Sequence, residues 1–223
     1  MKPMTEQHLA ILRRHMVEII DMHFDLTGDE IGTSELRPDL RRALLDVPRH
    51  LFVPQPLMIV AYQDTPLPIG FDKTVSQPFI GAVMIELLEI EPGDRVLEVG
   101  TGLGYQAAVM AEMGARVWSV EVVEEFAEAA GERFSALGQD VAVRVGDGSR
   151  GWAEHAPFDA VLVTAAADEV PEALVEQLTP GGRLVMPVGG KDVQQLTLVE
   201  KRADGEVTTR KVMPVRFTQL EVD

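Results

Sequence analysis

Three acids and one glycine loop carry most of the chemistry that can be read from this chain: Glu98, Gly100-Thr101-Gly102-Leu103-Gly104, Glu121 and Asp147-Gly148. The loop follows the apolar run Val96-Leu97-Glu98-Val99 and precedes the amphipathic run Gln106 to Met113. Glycines there let a ligand approach the main chain, where amide N–H groups face it at the positive end of a helix. Glu121 comes 21 residues after Gly100, where a carboxylate can accept hydrogen bonds from both hydroxyls of a ribose. Gly146-Asp147-Gly148 ends another apolar run, and glycines flanking an acid suit a polar clamp over a flat base. A dinucleotide fingerprint would want a further glycine at position 105, but Tyr105 stands there. Glu98, read as pointing into the site, would repel a pyrophosphate and attract a cation. S-adenosyl-L-methionine carries a sulfonium and an ammonium beside its ribose and adenine, so the pattern favours it over NAD. Singly, Glu98 could be a buried capping partner and Glu121 a mere strand end. Together with the loop, the acids point to a ligand.

Other reactive residue types contribute less. The chain has no cysteine, which excludes disulfides, thiolate nucleophiles and thiolate metal sites. His8, His15 and His23 lie on one helix, spaced seven and eight residues apart. Helical rise separates neighbours by roughly 10–12 Å, too far to share an ion, so no metal site is expected. Ser76 stands just before a helix start, and its local sequence favours a capping hydroxyl over a catalytic one.

Regular elements must position these groups. Leu9, Leu12, Met16, Ile19 and Ile20 predict a helix over 5–24 whose stripe docks on the main domain or on a second subunit. Asp25 to Arg37 reads as loop, Asp39 to Leu45 as a short helix ended by Val47-Pro48, and Tyr62 to Gly70 as irregular. A helix follows from about 78 to 89, with Pro78 in its first turn. From Glu91 onward strands and helices alternate. The strand candidates are Arg95–Val99, Arg116–Val120, Val141–Val145, Ala160–Val163 and Arg183–Pro187; the helix candidates are Tyr105–Met113, Val123–Leu137 and Pro171–Leu178. Near-continuous apolar strands predict an α/β fold with a mostly parallel central sheet covered by helices on both faces. Gln195–Lys201 and Glu206–Met213 alternate around Asp204-Gly205 as a hairpin, and Val215–Leu220 reads as a last short strand. Antiparallel strands therefore close the C-terminal end of the sheet.

With these elements in place, the chain resembles the protein-L-isoaspartate (D-aspartate) O-methyltransferase family. The resemblance rests on Val47-Pro48-Arg49-His50-Leu51-Phe52-Val53-Pro54, Pro66-Leu67-Pro68-Ile69-Gly70, Thr74-Val75-Ser76-Gln77-Pro78-Phe79, the loop with its flanks, Gly146-Asp147-Gly148, Ala156 to Asp159, Thr164 to Ala167 and Leu178 to Leu184. It runs from about residue 41 to 220. It implies a Rossmann-like S-adenosyl-L-methionine-dependent methyltransferase fold, with S-adenosyl-L-homocysteine as product. It implies Ser76 as the active-site serine and cofactor contacts from Thr74, Val75 and Ser76, around Gly100, Thr101, Gly102 and Gly104, and at Glu121, Val122, Asp147 and Gly148. The implied substrate is a protein or peptide whose aspartyl linkage has migrated to the β-carboxyl. Pro66–Gly70 and Val215–Leu220 would wall the cleft for it. Gln219 stands where the family usually has proline, and residues 1 to 40 match the family poorly.

The resemblance and the composition together bound the function. One domain over 1–223 is expected, with an N-terminal helical extension (1–40), a substrate and active-site segment (41–94), a cofactor-binding core (95–190) and C-terminal antiparallel strands (191–223). A formal net charge of −16, from 36 acidic and 20 basic residues, repels phosphate backbones and argues against a nucleic-acid partner. The N-terminal residues show no secretory h-region, no apolar run approaches a membrane span, and the absence of cysteine fits a reducing cytoplasm. The leading expectation is methylation of isoaspartyl α-carboxylates for repair. Its rivals are carboxyl methylation of a dedicated aspartate in a peptide product, a non-catalytic isoaspartyl-recognition module, and an NAD-dependent oxidoreductase. Tyr105 and the lack of hydride-transfer residues disfavour the last. A dimer through the N-terminal helix is a further expectation.

Overall fold

The computed structural model describes residues 5–222. Met1 to Met4, the start of the expected N-terminal extension, and Asp223 lie outside the described residues. Helix α1 (Glu6–Ile31) opens with Thr5, whose hydroxyl accepts the His8 amide N–H. Its inward stripe of Leu9, Met16, Val17, Ile20 and Phe24 is buried against its own chain. The helix runs seven residues past the expected end at 24. Thr27 leaves helical geometry (φ −118°, ψ 15°), and its hydroxyl donates to the His23 carbonyl at 2.7 Å, so the element bends rather than stops. A glycine inside a helix costs about 1 kcal/mol, and the far end offsets it. Ile31 is buried, and Arg210 donates to the Glu30 and Ile31 carbonyls at 3.2 and 3.1 Å.

Helix α2 (Pro38–Asp46) is followed by two short 3₁₀ helices, Arg49–Phe52 and Gln55–Val60. The stretch expected to be irregular contains a small antiparallel hairpin, β1 (Leu67–Gly70) and β2 (Lys73–Val75). Two prolines and a glycine hide it, because only one edge of such a short pair needs donors. Helix α3 (Pro78–Leu88) comes next. Its first turn is not capped by Ser76. The Asp64 carboxylate reaches in instead, accepting from the Phe79 amide and from Gln77 Nε2, both at 2.8 Å.

The main sheet then builds in chain order: β3 (Arg95–Val99), α4 (Tyr105–Glu112), β4 (Arg116–Glu121), α5 (Glu124–Leu137), β5 (Val141–Val145), β6 (Phe158–Val163), α6 (Glu172–Glu176), β7 (Leu178–Val188), β8 (Gln194–Lys201) and β9 (Val207–Val215). Its order is β5-β4-β3-β6-β7-β8-β9, parallel from β5 to β7, with β8 antiparallel to both its neighbours. Period two sorts the strand residues. Val96, Val117 and Ala160 pack on the face covered by α1 to α4, and Leu97, Trp118 and Val161 pack on the other. The chain leaves β3 toward β4 and later returns to its opposite side with β6, so the carboxyl end of β3 is the topological switch point where such sheets bind ligands.

The expected strand Val215–Leu220 does not form. β9 absorbs Val215, and the chain beyond runs irregularly, with an isolated bridge between Gln219 and Ala166 in place of a ladder. The reason lies in Gln194, whose buried amide accepts the Phe217 N–H at 2.7 Å and donates to the Phe217 carbonyl at 3.0 Å. That clamp occupies the groups a strand ladder would have used.

Candidate active site

At the end of β3 the backbone turns with Gly100 at φ +91°. A Cβ there would overlap the Thr164 hydroxyl, which instead donates to the Gly100 carbonyl at 2.7 Å and pins the loop to the end of β6. The Gly102 amide donates to Glu121 Oε2 at 2.7 Å, and the Val123 amide to Glu121 Oε1 at 3.0 Å. One carboxylate thus ties the glycine loop to the start of α5 while lining the cleft. Gly148 packs so tightly on Val99 that an added Cβ would overlap its Cγ1. With Val122, Phe126 and Gly146 these residues form a cleft that has apolar walls and an acid at one end. Hairpin residues Ile69, Lys73 and Thr74 and the segment Thr218–Glu221 form the opposite wall, joined by an ion pair between Lys73 and Glu221.

The other acids lie elsewhere. Strand alternation puts Glu98 on the face with Val96 rather than with Val99, fully buried and off the cleft wall. It accepts from the Ser119 hydroxyl, which also bonds Thr101 Oγ1 at 2.6 Å. Burial pushes the Glu98 carboxyl up to about 8, against the lowering effect of the Ser119 hydroxyl and with Glu121 nearby adding to the rise. At neutral pH this group is mostly protonated, so the expected attraction of a ligand cation does not come from a charged Glu98. Asp147 accepts from the Ser149 amide at 2.9 Å and the Ser149 hydroxyl at 2.7 Å, capping its own turn, and it pairs with Arg150. Gly104, in left-handed geometry, precedes α4 and does not line the cleft.

Next to the cleft lies a smaller inner pocket holding Thr74, Val75, Ser76, Thr101, Tyr105 and Gln106. Beyond it an open outer groove runs past Pro66, Ser76 and Gln77 to Val215 and Phe217. Thr74 borders all three spaces, and Ser76 borders the inner pocket and the groove. Nine of the residues expected in the site therefore meet in one continuous depression: Thr74, Val75, Ser76, Gly100, Thr101, Gly102, Glu121, Val122 and Gly148. Glu98, Gly104 and Asp147 support it from outside.

A profile of the protein-L-isoaspartate(D-aspartate) O-methyltransferase family matches residues 33–222. The chain belongs to this family. It is 49% identical over 219 residues to protein-L-isoaspartate O-methyltransferase 1 of Polaromonas sp. (strain JS666), covering 98% of this chain and 93% of that one. Among solved structures, a protein-L-isoaspartate O-methyltransferase superposes with a TM-score of 0.80 at 31% identity, covering 93% of this chain and 65% of that longer one. A Plasmodium falciparum structure in complex with S-adenosyl-L-homocysteine superposes at 0.78 with 23% identity and shares the fold.

Within this member of the family, two residues that sequence reasoning passed over hold Ser76 in place. Arg49 is buried, donates to the Ser76 carbonyl at 2.7 Å and to the Ala61 carbonyl at 2.8 Å, and lies 4.7 Å above the Tyr105 ring. A lone arginine in the apolar connector 47–54 was its one sequence signal. Asp64 holds Gln77 and Phe79, one and three residues after Ser76, and lies 3.1 Å from His23 Nδ1 on α1. Nothing in its local sequence marks it.

Proposed function

We propose that this protein transfers a methyl group from S-adenosyl-L-methionine to the free α-carboxylate of L-isoaspartyl residues in damaged proteins or peptides, the first step of their repair. The observation that carries this reading is Ser76, which borders both the pocket of the glycine loop and the open groove. The cofactor fits the residues present. Val99, Val122 and Phe126 give apolar walls for a flat base, Glu121 offers a carboxylate for ribose hydroxyls, and the packed turns at Gly100 and Gly148 leave the main chain bare of side chains. When bound, the cofactor supplies a methyl carbon made electrophilic by a sulfonium.

The chain's own task is positioning. The acceptor carboxylate is ionised at neutral pH, so no general base is needed. The Ser76 hydroxyl donates a hydrogen bond to it, while Arg49 holds the Ser76 carbonyl and Asp64 holds the Gln77 side chain and the Phe79 amide that follow. Alignment of this kind does most of what a transfer between two bound partners requires. The methyl ester that forms collapses to a succinimide when the following main-chain amide nitrogen attacks it and methanol leaves, and water then reopens the ring partly to normal aspartate. We assign the segments 1–40, 41–94, 95–190 and 191–223 of a single domain to extension, active site, cofactor core and closing strands. Among the described residues no helix is long and apolar enough to cross a membrane. We place the enzyme in the cytoplasm on its cysteine-free composition. We also assign the exposed outer face of α1, with Ile11, Met22 and Leu26, to contact with a second copy. Sedimentation of the wild type and of M22E tests that contact.

The deciding assay offers methyl-labelled cofactor with an isoaspartyl peptide and its normal aspartyl twin. Label on the isoaspartyl peptide alone is the expected result. Label on the aspartyl twin alone would favour modification of a dedicated aspartate, and no turnover with either overturns the proposal.

A further inference from the structure

The outer groove contains a charge that the transfer step does not use. Its lining from Pro66 to Gln77 and from Pro214 to Phe217 is uncharged except for Arg216. Arg216 is exposed, and among the described residues its guanidinium has no ion pair. In a chain of net charge −16 an uncommitted cation inside the substrate groove stands out against the field around it. Its backbone, by contrast, is held on both sides. Val215 pairs with Gln194 in the β8–β9 ladder, and the Gln194 side chain, itself 4% exposed, clamps the Phe217 N–H and carbonyl. The Cα is fixed while the charged end is free to meet a partner.

Resting on the isoaspartyl reading above, we infer that Arg216 is a specificity-determining residue that selects substrates carrying an acidic side chain close to the reacting isoaspartate. The reacting carboxylate itself is not its target. That group must reach the inner pocket, which Ser76 borders and Arg216 does not. Arg216 therefore meets the peptide outside the reacting residue. An exposed cation there attracts a flanking carboxylate and disfavours a flanking lysine.

The test uses pairs of isoaspartyl peptides of identical composition and net charge. One has glutamate adjacent to the isoaspartate and lysine at its far end; the twin has the two exchanged. Both sides of the isoaspartate are sampled. Matching the net charge cancels the long-range pull of the acidic protein. The expected ratio of kcat/KM favours the adjacent-glutamate peptide by roughly two- to fivefold, the range of an exposed ion pair, and shrinks at high salt as screening grows. R216Q should bring the ratio to about one, whereas R216K should keep the preference for glutamate. A wild-type ratio of one on both sides, a preference for adjacent lysine, or a preference that survives R216Q overturns the inference. Failure of the wild type to methylate any peptide of the set removes the functional reading itself, and this inference with it.

Discussion

Ser76 and Glu121 divide the work of the cleft, and each can be altered without dismantling the other. Ser76→Ala removes one hydrogen bond to a charged acceptor, a loss of about 1.5–3 kcal/mol. The expected fall in kcat is roughly ten- to a hundredfold, with S-adenosyl-L-homocysteine affinity by calorimetry little changed. Glu121→Ala frees the Gly102 and Val123 amides and removes the acid from the cleft, so its loss should appear mainly in cofactor affinity. If Ser76→Ala leaves turnover intact, the serine is only part of the wall. Glu98 gives a prediction of a different kind. Its carboxyl titrates near 8 in the folded protein against an ordinary value of 4.5. Between those values the folded state binds more protons than the unfolded one, so rising pH favours unfolding through that window. The penalty is absent below the ordinary value and complete above about pH 8. E98Q cannot titrate, so its melting temperature relative to wild type should rise from pH 5 to pH 8.5, and parallel melting curves would contradict the burial argument. The alternation of β3 already separates Glu98 from Val99, so its distance from the cleft wall was legible. Its proximity to the glycine loop drew the contrary expectation.

Elements differ in how plainly their residues announce them. The inner parallel strands were legible because burial on both faces demands near-continuous apolar runs, the edge strand β5 because Val141, Val143 and Val145 alternate, and the β8–β9 hairpin because Asp204-Gly205 interrupts two alternating stretches. The β1–β2 hairpin was not. Its pairing is short, and its turn places Phe71 and Asp72 at φ +50° and +55°; Asp72 tolerates that region, but the bulky Phe71 gives no sign of it. The start of α3 was also obscure, because its cap comes from Asp64, 15 residues before Phe79. Removing that remote cap tests whether it matters to the site. Asp64→Ala should cost about 0.5–2 kcal/mol, as other N-terminal caps do, read as a lower denaturation midpoint. It should also lower kcat more than it raises the Michaelis constant for the cofactor, since the residues it holds adjoin Ser76 and not Gly100. Unchanged kcat in a destabilised variant would confine Asp64 to a structural role.

At the scale of the whole molecule, the earliest and latest elements are joined. Helix α1 lies on α3 and β9, and Arg210 of β9 holds its final carbonyls. Met16, Val17, Ile20 and Phe24 are each at most 1% exposed. At about 1.5–3 kcal/mol per buried side chain, these four approach or exceed the roughly 5–15 kcal/mol by which a domain is stable. A variant lacking residues 1–31 should therefore lose its cooperative thermal transition by circular dichroism. A sharp melt near the wild-type temperature would show that α1 is dispensable. The amphipathic stripe announced the helix, but its partner surface could not be read, since it is assembled from α2, α3 and β9, segments scattered from residue 38 to residue 215. The cofactor cleft is assembled in the same way. Its far wall is Thr218 to Glu221, fastened to the hairpin by Lys73 and Glu221. A nascent chain that has not yet released residues 218–221 from the ribosome lacks that wall, however well its earlier strands have paired. The cleft cannot be completed until residue 221 has left the exit tunnel, so five paired parallel strands do not by themselves make a chain competent to methylate.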